Sequence, residues 1–189
     1  MTKKVLLLAQ GDCNRWSLGK VPGREFLGIK KHLLLVDGET LLGRARRLFT
    51  EAGCEVVVIG PQIEGYMPCT TLGNPHLTGT EQDKFIATSP LWEKDKRTII
   101  TWGDCYYTED AVKKIVSHRS DALHYFRRTG PSKITGHRWD ESFAVSFGPD
   151  EQKRVLDLAF SIVNAIKRKK FTKKDHIRTH YAASLGLKD

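Results

Sequence analysis

Apolar residues in this chain fall into short unbroken runs, and these alternate with stretches of helical period. Residues 4–9 (KVLLLA) form the first run. With no polar alternation, the run predicts a strand buried on both faces. Residues 33–36 give a short extended piece, and Asp37-Gly38 marks a turn. A helix is predicted over 40–52, with Thr40 as N-cap and Gly53 as its stop. Leu41, Leu42, Ala45, Leu48, Phe49 and Ala52 form its single apolar face. The β-branched run 55–59 reads as a strand ending at Gly60-Pro61. Residues 65–79 have no period, and 80–89 read as a short helix stopped before Pro90. Residues 97–102 are the next strand, closed by Gly103-Asp104, and Thr108 caps a helix reaching about His118. Strands are predicted at 122–126 and 143–147, separated by a basic loop over 127–140. Pro149 opens a helix whose Val155, Leu158, Ala159, Ile162, Val163 and Ile166 share a face; it ends in Lys167-Arg168-Lys169-Lys170. A last helix is predicted over 173–185.

Alternating strands and helices predict an α/β domain with a mostly parallel central sheet flanked by helices. The 189 residues suffice for one domain over 1–189, its last part (149–189) a basic helical segment. No run approaches a membrane span, and the first apolar run is too short for a signal-peptide core, so the expected location is cytoplasmic. Cys13, Cys54, Cys69 and Cys105 are scattered without a C-x-x-C pair, which points to neither a zinc ribbon nor a disulfide framework. The net charge of +9 would attract nucleotides, phosphorylated substrates or nucleic acid, or serve solubility.

One segment breaks the regular alternation. Residues 10–32 carry Gly11, Gly19, Gly23, Gly28, Pro22 and many charges, so they predict a long loop after the first strand. Loops of that length in compact domains are commonly functional. In open α/β sheets, ligands bind at the carboxyl ends of strands. Gly11 there leaves backbone amides free to meet a phosphate, and Arg15 can fork onto phosphate oxygens, with Lys30 or Lys31 as a second cation. A turn with a surface arginine is the plain alternative. Asp104 stands at the equivalent end of the strand over 97–102. A carboxylate there can hold Mg²⁺, which takes oxygen ligands and substrate phosphates; it can equally serve as a turn residue or cap.

Taken together, LLLAQGDCNRW, KKHLLLVDGETLLGRARRLFTEAGCEVVVIG and TIITWGDCYYTEDAV resemble the nucleotidyltransferase-like branch of the nucleotide-diphospho-sugar transferase superfamily. The resemblance covers about residues 4–120. Residues 126–147 (FRRTGPSKITGHRWDESFAVSF) look like small members of the same superfamily. It implies a GT-A-like, Rossmann-like fold and transfer from a nucleotide. Residues 9–15 match the A-A-G-x-G-x-R loop in part, with Cys13 in place of the second glycine. Lys31-His32-Leu33-Leu34 matches the P-K-x-L-L segment with Lys30 in place of proline.

The roles this implies are specific. Ala9, Gln10, Gly11 and Gly103 would line the nucleotide site. Arg15 would neutralise the triphosphate or leaving pyrophosphate, and Lys31 would contact a phosphate of nucleotide or acceptor. Asp104 would hold Mg²⁺ (or Mn²⁺); no motif fixes a second carboxylate, for which Asp140 or Glu141 is a candidate, with a surface turn as the plain alternative. Asp83 and Lys84 fall where the superfamily contacts base or sugar, or else form a solvated helix start. Outside the resemblance, His176 and His180 have i, i+4 spacing but lack the acidic partner of a metalloprotease helix. Trp92, Trp102 and Trp139 read as core or crevice wall, although Trp139 beside Arg138 could stack on a base.

The leading expectation is a metal-dependent nucleotidyltransferase acting from an NTP on a phosphorylated small molecule. The sequence leaves open a glycosyltransferase with a nucleotide-sugar donor and an anionic acceptor, a modified DNA base among the candidates. A non-catalytic nucleotide- or nucleic-acid-binding relative is the third reading.

Overall fold

Strand periodicity explains the core. In β1 (Lys3–Leu8), Val5 and Leu7 enter one cluster while Leu6 between them enters another. The same division recurs in β4 (Glu55–Ile59) with Val58 and Ile59, and in β5 (Arg97–Trp102) with Ile99 and Ile100. Successive side chains point to opposite faces, so a strand without polar alternation must be covered on both. The computed structural model describes residues 2–10, 29–72, 80–130, 141–171 and 177–186.

The central sheet has five strands in the order β4-β1-β5-β7-β6. β6 is His124–Arg128 and β7 is Glu141–Phe147. β1 pairs in parallel with β4 and β5, whereas β7 runs antiparallel to β5 and β6. Only β7 therefore runs against the other four. Helices α1 (Leu41–Glu51) and α3 (Glu109–Ser117) cover one face through Leu42, Ala45, Leu48, Phe49, Val112 and Ile115. The other face is covered by α2 (Glu81–Thr88), α4 (Gln152–Lys167) and α5 (Ile177–Ser184) through Phe85, Val155, Ala159, Ile162, Ile177 and Tyr181. The expected mostly parallel α/β sheet is present. Among the described residues no helix is long and apolar enough to cross a membrane.

Several boundaries differ from the pattern's prediction. The extended piece at 33–36 is a 3-10 turn at Lys31–Leu33 followed by a hairpin, β2 (Leu35–Val36) against β3 (Glu39–Thr40). Asp37 and Gly38 both have positive φ, 52° and 80°. A two-residue Asp-Gly turn of that hand matches strand twist and closes a hairpin. Thr40 then caps α1 by accepting from the Gly43 amide at 2.9 Å. β6 extends through Arg127 and Arg128 into the predicted basic loop. As the edge strand it tolerates charged side chains that an interior strand would reject. Pro149 opens a 3-10 turn, Pro149–Glu151, before α4 begins. Of the last predicted helix only α5 lies among the described residues.

Candidate active site

The three adjacent parallel strands β4, β1 and β5 end level with one another. Leu8 pairs with Ile59 on one side and Trp102 on the other. The Ala9 amide still donates to the Ile59 carbonyl at 2.7 Å, and the Gly103 amide donates to the Leu8 carbonyl at 2.8 Å. Beyond these bonds the chains diverge. The chain passes from β1 to β4 on one side, while β5 joins β1 on the other. That change of side makes a switch point, where open α/β sheets place ligands.

Gly103 is closely packed. A Cβ at that position would lie 3.1 Å from Leu42 Cδ1, 3.2 Å from the Leu8 carbonyl oxygen and 3.3 Å from Ala9 Cβ. The carbonyl belongs to the sheet and cannot swing away. Gly103→Ala is expected to cost about 1–3 kcal/mol of stability, read from the urea midpoint. An unchanged midpoint would refute the packing argument.

Lys31 and Asp104, 73 residues apart, form the site's central contact: Lys31 Nζ donates to Asp104 Oδ2 at 2.5 Å. The Lys31 side chain is 13% exposed and that of Asp104 25%. Burial pushes the Asp104 carboxyl up, but the Lys31 ammonium outweighs it and holds it below its ordinary value.

The turn carrying Lys31 is anchored from beneath. His32 is buried, with Nδ1 2.9 Å from the Tyr66 hydroxyl and the two rings edge to face. Tyr66 in turn fills space left by Gly60, where a Cβ would stand 2.7 Å from Tyr66 Cδ1. Gly60 thus admits Tyr66, Tyr66 holds His32, and His32 fixes the turn that aims Lys31 at Asp104. Burial, with Lys31 and Lys30 adding to it against the opposing Asp104, pulls His32 down to about 4.

That displacement has a sign. Between pH 6.5 and about 4 the unfolded chain binds a proton at His32 that the folded chain refuses. Stability should therefore be full above pH 6.5 and fall by about 3 kcal/mol as pH drops through the folded value. Asp104 adds its own loss only at lower pH, below the ordinary carboxylate range. Urea unfolding at pH 7.5, 5.5 and 4 measures the slope, and His32→Gln should flatten it. An equal slope in that variant would show that His32 is not the group responsible.

The segment after Asp104 is clamped on both sides. The Tyr106 hydroxyl donates to Asp37 Oδ2 at 2.8 Å, and the Arg44 guanidinium lies 4.6 Å from the centre of its ring. Arg44 Nε also donates to the Tyr107 carbonyl at 2.8 Å, and its Nη1 reaches Glu39 at 3.2 Å. Tyr107 is buried, its hydroxyl bonded to Thr101 and donating to the Phe143 carbonyl at 2.5 Å. The sequence reading did not single out His32, Tyr66, Arg44, Tyr106 or Tyr107. The adjacent tyrosines at a strand end were a legible signal. The His32–Tyr66 pairing was not, because the two residues meet only in the folded chain.

The other expected site residues divide. Ala9 is buried at the strand end, and exposed Gln10 donates Nε2 to the Leu72 carbonyl at 3.3 Å. Lys84 reaches from α2 towards the end of β5, its Nζ 5.2 Å from the centre of the Trp102 ring. Asp83 works at the helix start, its carboxylate accepting from the Thr80 amide at 3.4 Å. Glu141 opens β7 and pairs with Arg128 at 3.1 Å. Trp92 is core wall, edge to face on Phe147 at 4.9 Å between centroids. His180 stacks on Phe171 at 4.6 Å. Gly11, Arg15, Asp140, Trp139 and His176 lie outside the described residues.

Among the described residues, no group of three His, Cys, Asp or Glu side chains converges to hold a metal ion. The donor set does suit one ion that takes most of its oxygens elsewhere. Asp104 is an ionised carboxylate at the crevice, and Mg²⁺ commonly takes one or two carboxylates with water and substrate phosphates.

Solved structures share this architecture. The inositol-1-phosphate CTP transferase from T. maritima superposes with a TM-score of 0.62 at 14% identity, over 98% of this chain and 83% of its own. A hypothetical transferase from Thermus thermophilus gives 0.56 at 19% identity, over 89% and 75%. The chain has the fold of these transferases. No family model matches it, and no curated protein does. Within this transferase fold, the Lys31–Asp104 pair stands at the switch point between the parallel strands.

Proposed function

We propose that the chain is a metal-dependent nucleotidyltransferase, moving a nucleotidyl group from an NTP to a phosphorylated small molecule. The observation that carries this reading is the Lys31–Asp104 pair at the carboxyl ends of β1 and β5. A shielded cation and carboxylate side by side suit a phosphate-bearing ligand. The neighbour that acts on inositol-1-phosphate with CTP supports the same class, and its two substrates head the list to try.

In this reading an acceptor phosphate oxygen attacks the α-phosphorus of the NTP. The bond to the bridging oxygen breaks, and pyrophosphate leaves. The attacking oxygen is already ionised, so no strong general base is needed. Catalysis rests on positioning and charge stabilisation. Lys31 meets phosphate charge, and Arg15 and Gly11, which lie outside the described residues, would take the triphosphate-binding roles that the resemblance implies. Asp104 would hold Mg²⁺, which neutralises charge on the phosphates when bound. Gln10 and Lys84 would meet the rest of the donor. The proposed place of action is the cytoplasm.

The test is a melting panel of NTPs and nucleotide-sugars with and without Mg²⁺, followed by product analysis. A ligand at a hundredfold excess over Kd adds about 2.7 kcal/mol of stability. A Mg²⁺-dependent rise with one NTP, and pyrophosphate release with a sugar or cyclitol phosphate, is expected. A rise only with a nucleotide-sugar, with release of a nucleoside diphosphate, would replace the reading with glycosyl transfer. Asp104-Cys105-Tyr106 keeps only the first carboxylate of the D-x-D that such enzymes carry, and neither neighbour is described as acting on DNA.

A further inference from the structure

We propose that Lys31 is a built-in competitor for the metal position at Asp104, so that the free protein holds divalent cations weakly and takes up metal and triphosphate together. The triphosphate part rests on the nucleotidyl-transfer reading. The competition itself rests on geometry.

Lys31 Nζ occupies Asp104 Oδ2 at 2.5 Å. Mg²⁺ binds carboxylate oxygen at about 2.0–2.1 Å. An ion on this carboxylate would therefore stand within a few ångströms of the ammonium, and both side chains are largely shielded from screening water. Lys31 is held close by its turn, because the next residue, His32, is buried and bonded to Tyr66. Nor does the described surround offer a surplus of negative charge. Glu141 is engaged by Arg128, and the Lys31–Asp104 pair is neutral as a unit. A neutral pair draws a divalent ion weakly.

A triphosphate changes both halves of this balance. Its oxygens give Lys31 another partner and give the metal further ligands. Each ligand then favours the other, and by linkage the coupling is reciprocal. The arrangement keeps the ammonium and carboxylate satisfied in the free protein and releases both when a polyanion arrives.

The experiment uses Mn²⁺ alone, titrated by electron paramagnetic resonance against the full chain. Wild type and Lys31→Arg, which both keep the cation, should bind Mn²⁺ weakly. Lys31→Met and Lys31→Gln should bind at least about tenfold tighter, equivalent to about 1.4 kcal/mol. Adding Asp104→Asn to either should abolish the gain. Melting curves check that each variant is folded, and the two neutral side chains guard against failure of one. Equal Mn²⁺ affinity in wild type and the neutral variants would overturn the proposal. So would a gain that survives Asp104→Asn, or tight binding by Lys31→Arg. No nucleotide enters this measurement. A gain with no NTP response in the melting panel would sink the transfer reading and leave the competition standing.

Discussion

For the proposed nucleotidyl transfer, Asp104→Asn is expected to lower kcat/KM by roughly 10²–10³-fold while leaving the fold intact. The substitution keeps the shape of the side chain and an oxygen for Lys31 to meet, so the contact between the Lys31 turn and the end of β5 survives. What it removes is the negative charge. Charge placed where a phosphoryl group transfers is commonly worth that range of rate. The melting temperature should move by only a few degrees, because the amide oxygen retains the bond from Lys31. Steady-state pyrophosphate release, with a melting curve on the same preparation, measures both. Near-native turnover would remove Asp104 from the machinery. Lost turnover with a collapsed melting curve would mean that the carboxylate serves the fold.

The largest stability effect is expected deeper in the same layer. Phe49 is fully buried on α1 and meets Tyr107 edge to face, 5.5 Å between centroids. Tyr107 is three residues beyond Asp104 and is tied to Thr101 and Phe143 of the sheet. Phe49→Ala removes a whole ring from a packed interior, which costs about 3–5 kcal/mol. Against a typical total of about 5–15 kcal/mol, that is a large share. The cavity would also open beneath Tyr107, so the segment carrying Asp104 should loosen before the protein unfolds. Phe160→Ala on the exposed side of α4 is the control, expected within about 0.5 kcal/mol of wild type. Urea unfolding of the two variants side by side decides the matter. A Phe49→Ala variant within 1 kcal/mol of wild type would contradict the packing described here.

Much of the architecture was legible in the chain. The unbroken apolar run at β1 announced a strand covered on both faces, residues 55–59 and 97–102 announced β4 and β5, and the helical faces of α1 and α4 announced what covers the sheet. These signals are local: each comes from the period of a few neighbouring side chains, and period follows from backbone geometry alone. Gly103-Asp104 at a strand end was legible for the same reason. Where the reading slipped, the deciding contact was between strands. β2 and β3 became a hairpin because Asp37 and Gly38 adopt positive φ together, and β6 kept Arg127 and Arg128 because it took the edge of the sheet.

The sequence by itself therefore determined the layers, the strand ends and the residue types that stand there. Only the tertiary structure decided which of them meet. Lys31 and Asp104 are 73 residues apart and become one ion pair because the turn that carries Lys31, held by buried His32 on Tyr66, packs beside the end of β5. His32 meets its partner Tyr66, 34 residues away, only in the folded chain, where Tyr66 fills the space Gly60 leaves. Asp83, which the sequence leaves between a ligand contact and a helix start, accepts from the Thr80 amide at the start of its own helix. Periodicity records what a residue's neighbours along the chain require. The partners of a charge are set by strand order and register, which arise only when distant segments pack together.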